Sequence, residues 1–257
     1  MSDGLLTFLG TGTSQGIPVI GCSCKVCQSK DSKDKRFRTS ALIRHLGSQF
    51  SIDCGPDFRF QMLRENVQNL DAILITHGHQ DHVAGLDDIR PFNFMTDKDM
   101  EVYGEQVVLE DLKSRFGYIF QKNKYPGSPG IDLKNIFPAE KFTIHKTEII
   151  PVRAFHGNLP ILGFRIGAMA YLTDISSLPE ESLPLLTQLK VLVISALHKR
   201  KHHSHLNLEQ AIQVATTIGA TKTYFIHLSH SMGLHHEVSK ELPPSIALAY
   251  DGLSVPF

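Results

Sequence analysis

Hydrophobic residues fall along this chain in short runs separated by turn-forming residues, as expected of strands with helices between them. Leu5-Leu6-Thr7-Phe8-Leu9 has strand length and passes into Gly10-Thr11-Gly12-Thr13-Ser14-Gln15-Gly16, a turn-rich loop. Ala41-Leu42-Ile43 and Phe50-Ser51-Ile52 predict a strand pair with Gly47-Ser48 at the turn. Asp71-Ala72-Ile73-Leu74-Ile75-Thr76 predicts another strand, and further strands are expected near 142–145, 148–155, 161–166 and 168–172. Val191-Leu192-Val193-Ile194 shows no polar alternation, so it predicts a strand buried on both faces. Thr223-Tyr224-Phe225-Ile226 predicts a last strand, ending at His227.

Helical spacing appears over 105–116, where Val108, Leu109, Leu112 and Phe116 recur at threes and fours. It appears again over Asn207–Ile218, with Asn207 suited to the N-cap, Glu209 and Gln210 in the first turn and Gly219 at the stop. A helix near 234–241 would place His235 and His236 at the surface. Between the helical segments, 117–135 carries Gly, Pro and Ser and reads as a long loop, a lid or substrate wall. The order is strands first, then strands mixed with helices, in two comparable halves. That predicts an α/β (α+β) class protein over residues 1–257 as a single domain, with no internal repeat and no linker.

Composition narrows the function classes. A chain of 257 residues buries roughly 70–75% of its unfolded surface and needs no staple. Its 26 basic and 26 acidic side chains balance, which argues against a general nucleic-acid or membrane-surface binder. No apolar run approaches the ~20 residues of a membrane helix. Met1-Ser2-Asp3-Gly4-Leu5 lacks a basic segment followed by an apolar one, so the expected location is cytoplasmic. Four cysteines stand at 22, 24, 27 and 54. Three within six residues make a poor disulfide framework and read instead as metal ligands.

The strongest chemical signal follows the strand at 71–76. His77-Gly78-His79-Gln80-Asp81-His82 offers four candidate ligands in six residues. Imidazole and carboxylate suit Zn²⁺, and also Mn²⁺ or Fe. His77 and His79 can project to one side, Asp81 and His82 one turn later toward a second ion roughly 3.5–4 Å away. Gly78 lets the backbone bend around both.

His77-x-His79-x-Asp81-His82 resembles the signature of the metallo-β-lactamase superfamily. The resemblance implies an αββα sandwich, two mixed β-sheets flanked by helices, with metals at one edge between the sheets. It implies three further ligands on later strand ends, and His156, Asp174 and His227 stand in that order. One ion would then be held by His77, His79 and His156, the other by Asp81, His82 and His227, with Asp174 bridging. A shared water of lowered pKa would serve as nucleophile.

Cys22-x-Cys24-x-x-Cys27 can wrap a tetrahedral Zn²⁺ given a fourth ligand, which Cys54 or His230 could supply. Cys54 lies in Ser51-Ile52-Asp53-Cys54-Gly55, a strand end where a cysteine is an ordinary buried hydrophobe. The run Leu9-Gly10-Thr11-Gly12-Thr13-Ser14-Gln15-Gly16-Ile17-Pro18, with Gly21-Cys22-Ser23-Cys24-Lys25-Val26-Cys27, is similar to the PhnP-type branch of the superfamily. Those proteins are cyclic phosphodiesterases of phosphonate breakdown that act on phosphoribosyl 1,2-cyclic phosphate. The likeness implies a structural zinc on Cys22, Cys24, Cys27 and His230, set in an N-terminal loop of about residues 10–36.

The expected activity is hydrolysis of a small cyclic or nucleotide-like phosphodiester by a metal-activated hydroxide. His205, just before the 207–218 helix, is the expected general acid, and Asp81 counts with it as catalytic. His198 is a rival for the acid role. Lys199, Arg200, Lys201, His202 and His203 form either a solvated loop or a phosphate-attracting rim. The resemblance leaves other readings: a tRNA 3′-end nuclease, a thioester or lactone hydrolase, a pyrroloquinoline-quinone B-type protein, or a non-enzymatic zinc-binding scaffold. The expected partner is a small anionic phosphodiester, with neither membrane nor nucleic acid, and a homodimer is left open.

Overall fold

The structure is a computed structural model that describes residues 4–123 and 125–257. Met1-Ser2-Asp3, which entered the reading of the chain start, lies outside the described residues. The first half contains β1 (Gly4–Gly10), β2 (Ser40–His45), β3 (Ser48–Ile52), α1 (Phe58–Arg64), β4 (Ala72–Leu74), α2 (Gln80–Val83), α3 (Arg90–Thr96), β5 (Met100–Gly104), α4 (Gln106–Arg115) and β6 (Ile131–Asn135). The second contains β7 (Phe142–Ile144), β8 (Thr147–His156), β9 (Leu159–Ile166), β10 (Met169–Leu172), β11 (Val191–Ser195), α5 (Leu208–Ile218), β12 (Lys222–Ile226), α6 (His235–Val238), β13 (Ile246–Leu248) and β14 (Ser254–Pro256).

Two seven-stranded sheets result, ordered β14-β1-β2-β3-β4-β5-β6 and β13-β12-β11-β10-β9-β8-β7. In the first, β1 pairs antiparallel with β14 and β2, β2 with β3, and β3 to β6 run parallel. In the second, β7 to β10 pair antiparallel and β10 to β13 run parallel. Both halves therefore follow one plan, three antiparallel pairings and then three parallel ones, although the sequence shows no repeat. The exchange of β14 onto the first sheet ties the end of the chain back to its start.

The layering follows from strand alternation. Phe50, Ile52, Leu74, Phe164, Tyr171 and Val193 fill the space between the sheets. Leu42, Ile73, Ile75 and Val102 face outward to a core with α1, α3 and α4. Leu192, Ile194 and Phe225 face outward to α5 and α6. Along β11, Val191 and Val193 enter the inner core while Leu192 and Ile194 enter the outer one. Burial on both faces is why that run shows no polar alternation. The architecture is the αββα sandwich of two mixed, helix-flanked sheets. Among the described residues, no helix is long and apolar enough to cross a membrane.

Several expectations need adjustment. The stretch 117–135 is not all loop: Ile131–Asn135 adds to β5 as the edge of the first sheet. Its alternating polar residues face solvent at that edge and hide the strand. The expected helix near 234–241 is one turn, and His235 is buried rather than on the surface. Its Nδ1 accepts from the buried Arg36 guanidinium, 3.1 Å away. His45 lies in β2, while His145 lies just past β7 with a left-handed backbone.

Candidate metal centre

Parallel strands deliver their C-terminal ends to one edge of the sandwich, and the candidate ligands sit on the residues that follow them. β4 runs on to His77, His79 and the α2 residues Asp81 and His82. β8 ends at His156, β10 is followed by Asp174, and β12 by His227. Asp174 (φ 56°) and His227 (φ 57°) adopt the left-handed region there, as does Asp53 (φ 64°) at the end of β3. Outliers of this kind each cost about 1–3 kcal/mol and collect at functional sites.

The ligand atoms converge. Asp81, His82, Asp174 and His227 form one group, and His77, His79 and Asp174 a second, so Asp174 is common to both. His227 Nε2 lies 2.9 Å from Asp174 Oδ1, and His82 Nε2 lies 3.4 Å from Asp174 Oδ2 and 3.2 Å from Asp81 Oδ2. His77 Nε2 is 3.7 Å from Asp174 Oδ2. The His156 ring stands 5.2 Å from His79 and 5.9 Å from His77, centroid to centroid.

This donor set fits two divalent cations. The Nε2 atoms of His77, His82 and His227 are buried without a satisfactory hydrogen-bond partner, a costly arrangement unless something else takes their lone pairs. Burial pushes His77 well below the ordinary imidazole range and lowers His79, so both offer neutral rings. Burial opposes charge on Asp174, yet His227 and His82 hold its carboxyl well below the usual carboxylate range. Burial likewise opposes charge on His227, but Asp174 and Asp81 raise it to about 9. A cation at this site competes with protons for the same lone pairs, so its affinity weakens as the pH is lowered.

A further layer orients the ligands, and the sequence reading missed it. Asp53 Oδ2 is 2.7 Å from His82 Nδ1, both fully buried. Thr76 donates its N–H to Asp53 Oδ1 at 2.9 Å and its hydroxyl at 3.0 Å, while that hydroxyl meets His77 Nδ1 at 2.9 Å. His156 Nδ1 donates to the Ser204 carbonyl at 2.8 Å. These contacts turn the rings so that Nε2 faces the centre. An Asp directly after a strand was the available signal for Asp53. Its partner lies 29 residues on, so only the fold reveals the pairing.

His205 borders the cluster. Its ring is 4.4 Å from His156 and 5.0 Å from His227, and it groups with His156 and Asp174. Burial, with His227 next in weight, pushes it down to about 3, so the imidazole is neutral at pH 7. His198 meets the His202 ring at 5.9 Å. His202 in turn stands 5.1 Å from His205 and 4.4 Å from His203. Lys199 pairs with Glu241.

Cys22, Cys24 and Cys27 group with His230, whose Nδ1 lies 3.2, 3.5 and 3.5 Å from their sulfurs. The Cys27 N–H draws the Cys24 thiol down to about 6, while burial pushes Cys27 up to about 11. Four such donors, with no open position, suit a tetrahedral zinc that holds structure. Cys54 joins the apolar core under α1 instead. The same loop is tied to the strand end beside it: Leu228 N–H donates to the Thr11 carbonyl and Thr13 N–H to the Leu228 carbonyl.

Comparison with known proteins agrees with this geometry. A family described as Beta-lactamase superfamily domain matches residues 49–228. The crystal structure of a diphosphatase from the PhnP family superposes with a TM-score of 0.92 at 40% identity, covering 99% of this chain and 97% of that one. An octanoyltransferase of Porphyromonas gingivalis is 46% identical over 248 residues, 96% of this chain. A ribonuclease Z of Metallosphaera sedula is 31% identical over 125 residues, 47% of this chain. The chain spans 50% of the octanoyltransferase's length and 39% of the ribonuclease Z's.

Proposed function

Because this chain belongs to the metallo-β-lactamase superfamily and to its PhnP family, and is thus a metal-dependent hydrolase, we propose that it is a phosphodiesterase for small cyclic or nucleotide-like phosphodiesters. The observation that carries this reading is the pairing of two candidate ligand groups through Asp174 with His205 beside them. His77, His79 and His156 would hold one ion, and Asp81, His82 and His227 the other. Such a pair supplies Lewis acidity toward a phosphoryl oxygen and makes water a stronger nucleophile at neutral pH.

The chain's own residues do the rest. Asp53 and Thr76 keep His82 and His77 aimed, and Ser204 keeps His156 aimed. His205 is neutral in the resting protein, and an anionic phosphoryl group beside it raises its proton affinity. The protonated ring then donates to the departing oxygen. Zinc on Cys22, Cys24, Cys27 and His230 would pin the N-terminal loop against the segment bearing His227. The octanoyltransferase name belongs to a protein about twice this length, half of which is matched by this chain.

The test is hydrolysis of bis(p-nitrophenyl) phosphate and of phosphoribosyl 1,2-cyclic phosphate by protein loaded separately with Zn²⁺ or Mn²⁺. Turnover is expected, and His205→Ala should lower kcat about a hundredfold or more with metal content unchanged. Failure of the fully metallated protein to cleave either substrate would overturn the phosphodiesterase reading and direct attention to thioesters and lactones.

A further inference from the structure

Of the histidine-rich, basic run between β11 and α5, the proposed chemistry uses only His205. The run forms a closed loop. The Leu197 N–H donates to the Leu206 carbonyl at 3.0 Å and the Leu208 N–H to the His198 carbonyl at 2.9 Å. The Leu206 N–H donates to the Ile175 carbonyl, also at 2.9 Å. Compact loops with joined ends are frequently functional. A Cβ on Gly157 would stand 3.4 Å from Ser204 Cβ, so the loop also packs against the turn after His156.

The polar side chains of this loop divide by direction. Lys199 is held by both carboxylate oxygens of Glu241, at 2.7 and 2.6 Å. Arg200, Lys201 and His203 are exposed. His202 is half-buried and turns toward His205, ring to ring at 5.1 Å, with His198 edge-on to it at 5.9 Å. The Ser204 N–H donates to His202 Nδ1 at 3.3 Å, while the Ser204 carbonyl accepts from His156 Nδ1 at 2.8 Å. Burial, with His203 next in weight, lowers the proton affinity of His202, so its ring is neutral. With Nδ1 accepting, a neutral ring carries its hydrogen on Nε2. That nitrogen has no hydrogen-bond partner among the described residues and is not sealed from solvent. An oriented, unused donor therefore stands beside the proposed general acid.

Its spacing indicates what it would meet. His205 addresses the departing oxygen. Each hydrogen bond spans about 2.7–3.2 Å, so a ring 5.1 Å from His205 suits a second oxygen close to the first. Oxygens on adjacent carbons of a sugar stand in that relation. An anionic phosphoryl oxygen is drawn to cations, whereas a neutral hydroxyl matches a neutral imidazole donor. We infer that His202 is a substrate-binding residue that donates from Nε2 to a hydroxyl next to the departing oxygen, and so selects sugar diesters that carry it. The inference rests on the phosphodiesterase reading and deepens it.

The test compares phosphoribosyl 1,2-cyclic phosphate, its 3-deoxy analogue and bis(p-nitrophenyl) phosphate on metal-loaded protein. The analogue lacks the free hydroxyl beside the cyclic diester. Wild type should favour the hydroxylated sugar over the analogue about fivefold or more in kcat/KM, as one hydrogen bond allows. His202→Phe keeps a ring without the donor and should erase that preference. Its loss should be at least about fivefold greater on the hydroxylated sugar than on either substrate without the hydroxyl. His202→Gln can accept from Ser204 and still donate, so it should restore much of the preference. A loss that falls equally on all three substrates would make residue 202 a prop for Ser204 and His156 alone, and would overturn the inference. So would a wild type that does not distinguish the two sugars. Cleavage of bis(p-nitrophenyl) phosphate alone overturns the inference and leaves the phosphodiesterase reading standing, whereas no cleavage by fully metallated protein overturns both.

Discussion

At the scale of single residues, the candidate metal centre depends on side chains that hold the candidate ligands as well as on those ligands themselves. Asp53 is buried, accepts from Thr76 and stands against His82 Nδ1, all from a left-handed backbone position. Asn tolerates that backbone conformation but lacks the anion. Asp53→Asn should therefore leave the fold intact and lower metal affinity about 10–100-fold, read by competition with a chromogenic chelator. Asp174→Ala should go further and abolish retention of at least one ion, because Asp174 belongs to both ligand groups. The ligand string His77 to His82 was legible because its donors are adjacent in sequence and follow a strand. Asp53 was not, because its role is defined by a ring brought to it from a different element.

At the scale of elements, the one-turn helix α2 has little stability of its own and is held by what it touches. A Cβ on Gly55 would lie 2.0 Å from the Asp81 carbonyl oxygen, so the turn after β3 must be bare for α2 to seat. Gly55→Ala should displace Asp81 and His82, with a cost of about 3 kcal/mol and loss of bound metal, measured by urea unfolding and metal analysis. The cysteine loop offers a parallel case. Cys27→Ser should remove one zinc per chain and lower Tm by roughly 5 °C or more, since ligation there joins residues about 200 positions apart. The helix α5 could be read in advance because its signals are local. Asn207 and Gln210 form a capping box, and Gly219 ends the helix in the left-handed region. The strands β5, β6, β13 and β14 escaped notice because their evidence is a neighbouring strand, not a pattern of their own. The helices α1 and α3 expose so many apolar residues that their periodicity is blurred.

At the scale of the whole molecule, a buried polar network joins the two ends of the chain. Arg36 donates to Thr11 Oγ1 and to the Ala249 carbonyl, each at 2.6 Å, and to His235. Asp251 accepts from Thr11 and from the Phe37 N–H. Burial, then Arg36, pushes His235 down to about 4, while burial pushes Asp251 up to about 6. As pH falls from 6.5 to 4, the unfolded chain protonates residue 235 before the folded one does, and stability is lost. Between pH 6 and 3.8, the folded chain protonates Asp251 first, and stability is gained. The two effects oppose each other, so Asp251→Asn should lose stability more steeply than the parent between pH 6.5 and 4, measured by urea midpoints. Equal slopes would show that the network does not titrate as its geometry implies. The sequence by itself marked the candidate ligand string His77 to His82, the strand that carries it, the cysteine cluster and the well-capped helix, because each rests on neighbours within a few residues. Tertiary structure alone decided the shared plan of the two halves, the pairing of Asp53 with His82, the burial of His235 and the exposed α1–α3 face. Each of those depends on which distant segments meet, and hydrophobic burial between sheets sets that without leaving a local mark.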